Sequence, residues 1–148
     1  MVFFETSDSL KPVDLENVEN EFGIIFPADF KKHYLKYNGG YPEKDEFTWE
    51  DKSTTTINTF FSIKYKGFSN LEAVYRQVTI DDPYLPVGIV PFAVDDGGNF
   101  FCISVRLNDY DCIYYCNDDH YESMEEEGYL ELLTTGFGKF LDNLSMSD

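Results

Sequence analysis

The chain has 148 residues, with 28 acidic side chains against 11 basic ones and a formal net charge of −17. That length suits one domain with a core of its own, without disulfide or metal staples, and 18% aromatics, 14 Phe and 11 Tyr among them, argue against disorder. The charge would repel nucleic acid and anionic membrane surfaces, and it would attract a basic protein or simply keep the chain soluble.

In chain order, Met1 to Lys11 reads as a loose lead-in in which Val2-Phe3-Phe4 is able to make one short pairing. Pro12 or Asp14 begins a first helix with Leu15, Val18 and Phe22 as its buried stripe, and Gly23 ends it in the left-handed conformation that costs glycine nothing. Phe26-Pro27 starts a second helix, since Pro favours a first turn. Phe30, Tyr34, Leu35 and Tyr37 share one face of it, with Lys31, Lys32 and Lys36 largely off that face. Asn38-Gly39-Gly40 closes this helix and Pro42 keeps it from resuming. Phe47 and Trp49 alternate inside the charged stretch Glu43 to Lys52, which predicts a short strand with one covered face. Thr54 to Tyr65 is rich in β-branched and aromatic residues and reads as a longer strand that ends at Gly67.

Leu71, Val74, Tyr75 and Val78 fall at helical spacing behind Ser69 or Asn70 as the cap. Asp81 to Pro91 reads as a loop punctuated by Pro83, Pro86 and Pro91, and Gly88 to Val94 is the apolar run of a strand covered on both faces. Asp96-Gly97-Gly98-Asn99 is turn chemistry. Phe100 to Val105 and Cys112 to Cys116 read as strands joined around Asn108-Asp109, and Asp118 to Gly128 as an acidic loop. Leu130, Leu133, Phe137, Phe140, Leu141 and Leu144 step like an amphipathic terminal helix whose first part Gly136 and Gly138 weaken. The sum is a single α+β domain over residues 1–148: an N-terminal helix pair, an antiparallel sheet of about five to six strands, and a C-terminal helix.

The chain shows no nucleophile elbow, P-loop or H-E-x-x-H. His33 reads as a partly exposed helix residue. Cys102, Cys112 and Cys116 lack C-x-x-C spacing and with His120 fit no common zinc finger, so free thiols in a reducing cytosol are expected. No apolar run reaches the length of a membrane span and the N-terminus lacks a signal-peptide layout, so the expectation is a soluble, cytosolic protein. Asp95, Asp96, Asp118, Asp119, His120 and Glu122 form an oxygen-rich set of the kind that suits calcium or magnesium, and two of the carboxylates could serve as acid and base, but calcium-loop spacing is absent. No catalytic, cofactor or metal residue is assigned, and a non-enzymatic protein is expected.

The location of the acids points elsewhere. From Asp95 to Glu127 there are ten acidic side chains against Arg106 alone, while seven of the 11 bases lie between Lys31 and Lys66. Phe100, Tyr110, Tyr114, Tyr115 and Tyr121 interleave with those acids. The pattern fits an acidic surface with aromatic anchors that holds a basic protein, or a solvated face with its rings packed beneath. On the first reading the partner-binding residues are Asp95, Asp96, Asp118, Asp119, Tyr121 and Glu122.

Glu19, Phe22-Gly23, Phe26-Pro27, Phe30, Tyr34 and Asn38-Gly39-Gly40, in that order, resemble the opening motif of the SUKH superfamily. That superfamily includes yeast Smi/Knr-type cell-wall regulators and many bacterial immunity proteins. Val90-Pro91-Phe92-Ala93 with Asp95 to Asn99 resembles its central strand and turn, and Phe137, Phe140 and Leu141 its closing F-x-x-F-L helix. Two positions depart: Gly136 stands where relatives often have Ser, and Phe26 replaces Leu. The resemblance implies a SUKH-like fold in which Glu19, Gly23, Pro27, Asn38, Gly39, Gly40, Phe137 and Phe140 are structural. For single-domain bacterial members it implies a cytosolic immunity protein that neutralises a cognate toxin, often a nuclease. The alternative it allows is a regulatory or scaffolding interaction domain. The oligomeric state is left open.

Overall fold

A computed structural model of the chain describes residues 1–65, 69–117 and 129–147. Strand β1 (Phe3–Phe4) pairs antiparallel with β2 (Tyr41–Pro42), so the lead-in does hold one short pairing. Helix α1 (Pro12–Phe22) has Pro at its first position, where an amide would lack a partner anyway, and the Lys11 N–H donates to Asp14 Oδ2 at 2.8 Å. Gly23, at φ +66°, caps it. Glu19 Oε2 then accepts the Phe26 N–H at 2.7 Å, which sets the elbow into α2 (Ala28–Lys36). Pro27 is the cap of α2 rather than a first-turn residue. The chain leaves α2 through Gly40, at φ +89°, where a Cβ would come within 2.4 Å of Phe4 O; no other residue lets it pass β1 so closely.

Six strands form one antiparallel meander in sequence order: β3 (Glu46–Thr48), β4 (Thr54–Phe60), β5 (Ile89–Asp95), β6 (Phe100–Ser104), β7 (Cys112–Cys116) and β8 (Leu130–Thr135). Helix α3 (Leu71–Arg76) crosses between β4 and β5, and α4 (Phe137–Asp142) follows β8. β5 is buried on both faces, as its unbroken apolar run predicts.

Three boundaries differ from the sequence reading. β4 stops at Phe60, not Tyr65: the Phe61 N–H makes one last bond to Phe92 O on β5, and Asn38 then captures Ile63. α3 ends at Arg76 and passes into a π-helical turn, Gln77–Asp81, closed by the Asp82 N–H on Gln77 O. The largest correction concerns Leu130 to Thr135, which is a strand and not the start of the terminal helix. Gly136 takes φ +104°, ψ 118°, a conformation outside the helix, so the two halves of the apolar pattern belong to different elements.

On one face of the curled sheet α1, α2 and α4 enclose a core of rings. Phe137 lies 5.0 Å from Phe30 and 5.2 Å from Phe92, and Phe140 lies 5.4 Å from Phe101, in tilted and edge-on pairs. Tyr34 is fully buried among them and donates its hydroxyl to Phe61 O at 2.8 Å. A smaller cluster of Val78, Leu85, Ile89, Cys102, Cys116 and Tyr129 covers the opposite face.

Candidate functional site

A meander puts its connections alternately at two ends. One end carries the β3–β4 hairpin (residues 49–53), the β5–β6 turn (96–99), and Asn117, whose N–H donates to Tyr129 O at 3.2 Å. The other carries the crossover of residues 61–88, the loop 105–111 and Gly136.

The turn acids separate sharply. Asp95 is only 3% exposed: Oδ1 accepts the Gly97 and Asn99 amides at 3.0 and 2.9 Å, and Oδ2 accepts the Thr55 and Tyr115 hydroxyls at 2.8 and 2.5 Å. It is a buried clamp that closes the turn, not the surface group that the sequence suggests, and four donors leave it nothing to offer a partner. Its neighbour Asp96 is exposed, with its N–H on Thr56 O. Burial and the bond to Asp95 together push the Tyr115 phenol well up.

Further along, Asp109 sits among Arg106, Ser104 and Tyr114. Burial alone would raise its carboxyl, but those three partners hold it down to about 2. Asp111 Oδ1 accepts the Phe137 N–H at 3.1 Å and so anchors the start of α4. Of the four described acids between Asp95 and Asp111, Asp96 alone is exposed. Asp118, Asp119, Tyr121 and Glu122 lie outside the described residues.

The motif residues are scaffold in this structure. Glu19, Gly23 and Pro27 build the elbow, and Phe137 and Phe140 are core. Asn38, 2% exposed, gives its side-chain N–H groups to Ile63 O at 2.9 Å and Asp8 O at 3.0 Å and takes the Ile63 N–H at 2.7 Å. His33 is more enclosed than expected, with ring centroids of Phe3 at 4.6 Å and Phe137 at 5.4 Å, and burial lowers its pKa to about 4. Among the described residues no group of three or more His, Cys, Asp and Glu could hold a metal ion, and no helix is long and apolar enough to cross a membrane.

One feature of the acidic end has no counterpart in the sequence reading. The sheet curls until its outer strands face each other across a cleft of about 680 Å³. Thr48, Trp49, Glu50 and Asp51 line it from the β3 side, and Glu131 and Leu132 from β8. Glu50, Asp51 and Glu131 are acids, no Lys or Arg among the described residues lines the cleft, and the exposed Lys52 stands next to it at the hairpin tip. Trp49 packs edge-on to Phe47 at 5.0 Å and to Tyr115 at 5.1 Å, and its buried indole N–H has no acceptor among the described residues. Glu50 and Asp51 were hidden in the base-rich half of the sequence, and Glu131 in a stretch that reads as helix. The usable signal was the run Leu130-Leu132-Thr134, whose two-residue period competes with the helical spacing of Leu130, Leu133 and Phe137.

The model of one protein family, described as SMI1 / KNR4 family (SUKH-1), matches residues 9–143. No curated protein matches the chain.

Proposed function

The chain belongs to the SMI1 / KNR4 family (SUKH-1) and is a protein-interaction domain; from that premise we propose that it is a cytosolic immunity protein that neutralises a basic toxin, a nuclease above all, through an acidic surface. A nuclease must present positive charge to hold phosphates, and an acidic inhibitor gains both steering and complementarity against it. The observation that carries this reading is the set of exposed carboxylates at one end of the sheet: Glu50, Asp51, Asp96 and Glu131, on a chain of net charge −17. The asset is therefore a surface, with no side chain in a catalytic role.

The test is affinity capture from the native cell on the tagged protein, washed at low and then moderate salt. One basic protein, released by salt and absent with Asp96→Lys/Asp118→Lys/Asp119→Lys, is the expected result. Capture of no basic protein would overturn the reading. Several housekeeping proteins and no toxin would replace it with a regulatory scaffold.

A further inference from the structure

We propose that the cleft between β3 and β8 takes one extended, lysine- or arginine-bearing segment of the basic partner, which adds as a strand to the free edge of β8. The inference rests on the reading of this protein as a binder of a basic partner, and names how that partner is held.

The ladder parity shows which backbone groups are available. In an antiparallel pair, residues alternate between bonding the neighbour and facing away from it. Asn117 donates to Tyr129 O, so Glu131 is next to bond β7, while Leu130 and Leu132 turn their N–H and C=O groups outward. On β3, Glu46 uses its outward N–H and C=O on Ser145, at 2.8 and 3.0 Å, and the same alternation turns those of Thr48 outward, toward the cleft. Among the described residues no strand pairs with the outer side of β8. A bulge at Leu133 interrupts that edge, but the run from Leu130 to Leu132 before it is regular. Edge strands are commonly blocked by a lysine or a proline; this one carries Leu132, 56% exposed. An open edge beside a groove is what strand addition requires, with main-chain bonds supplying affinity and alternate side chains specificity.

Charge selects the occupant. Glu50, Asp51 and Glu131 line the cleft with no lining base among the described residues, so cationic side chains on alternate positions of the incoming strand meet carboxylates while their neighbours cover Leu132. The same acids reject nucleic acid. A second copy of this chain would set Glu131 against Glu131 along the shared edge. The Trp49 indole N–H, buried without an acceptor among the described residues, supplies a donor at the cleft wall.

The probe is an acetylated, amidated eight-residue peptide of alternating lysine and valine, titrated into the isotope-labelled protein, with amide exchange and anisotropy as readouts. The expected result is binding that slows exchange at Leu130 and Leu132. About tenfold weakening should follow from Glu131→Lys, from Glu50→Lys/Asp51→Lys, and from N-methylation of alternate peptide amides. Binding indifferent to N-methylation would reduce the effect to bulk charge and overturn the proposal, as would changes confined to another face. A dimer with β8 amides already protected would overturn it too. Leu132→Pro, which removes an outward N–H and leaves the ladder intact, separates this inference from the broader one. If that variant keeps its melting temperature and still captures the native partner as tightly, strand addition falls and the immunity reading stands. If the unaltered chain captures no basic partner, the immunity reading falls and the peptide titration still decides the cleft.

Discussion

At the end of the sheet where the β4–β5 crossover runs, Asn38 holds Ile63 by both its N–H and its C=O and reaches Asp8 as well, joining three segments far apart in the chain. At the opposite end Asp95 does comparable work with a charge: it closes its own turn and ties in Thr55 and Tyr115. Both side chains are lost to the surface. They differ in what surrounds them, because beside Asp95 the hairpin and turn leave Glu50, Asp51 and Asp96 in solvent, while around Asn38 the polar groups are spent on one another. One end is cross-braced and the other is left open with its carboxylates outward. An acid in the sequence is therefore not yet an acid on the surface: Asp95 and Asp96 are adjacent and have opposite fates.

The contrast breaks most readily at the braced end. Asn38→Leu leaves the Ile63 N–H and C=O buried without partners, and unfolding stability should fall by about 3 to 4 kcal/mol. Urea unfolding measures this, and a loss below about 1 kcal/mol would mean the brace is not where the geometry puts it.

Acid offers a second way in. Burial, with a smaller push from the Lys36 charge, lowers the His33 pKa from 6.5 to about 4, so the native state refuses a proton that the unfolded chain accepts. Stability is then complete above pH 6.5 and declines as pH falls toward 4, by as much as about 3 kcal/mol in total. Urea midpoints across that range should show the slope, and His33→Phe should flatten it; an unchanged slope in the variant would assign it to carboxylates instead.

The smallest of the three effects sharpens the comparison at the open end. Asp95→Asn keeps an acceptor for part of the turn but sets an amide against two donors, for a loss of about 2 kcal/mol. Thermal unfolding with Asp96→Asn as the control reads it, since the exposed neighbour should shift stability by less than about 0.5 kcal/mol.

Much of the fold was legible because its signals are local. Pro12 and Gly23 bound α1, Asn38-Gly39-Gly40 follows the end of α2, and the apolar run of β5 declares a strand covered on both faces. The candidate site was less legible. Asp109 reads as one more surface acid until Arg106, Ser104 and Tyr114 close on it. Glu131 reads as helix because Leu130, Leu133 and Phe137 satisfy a spacing of three to four, and only the backbone at Gly136 ends that pattern.

By itself, then, the sequence determined the α+β order, the elbow, the turns and the family, since each depends on residues within a few positions of one another or on a motif in fixed order. Only the tertiary structure decided that Asp95 is buried, that Leu130 to Thr135 is a strand, and that β3 and β8 meet across a cleft lined with acids. The reason is physical. Burial and strand pairing belong to segments tens of residues apart, and the curl that brings two sheet edges together is a property of six strands at once.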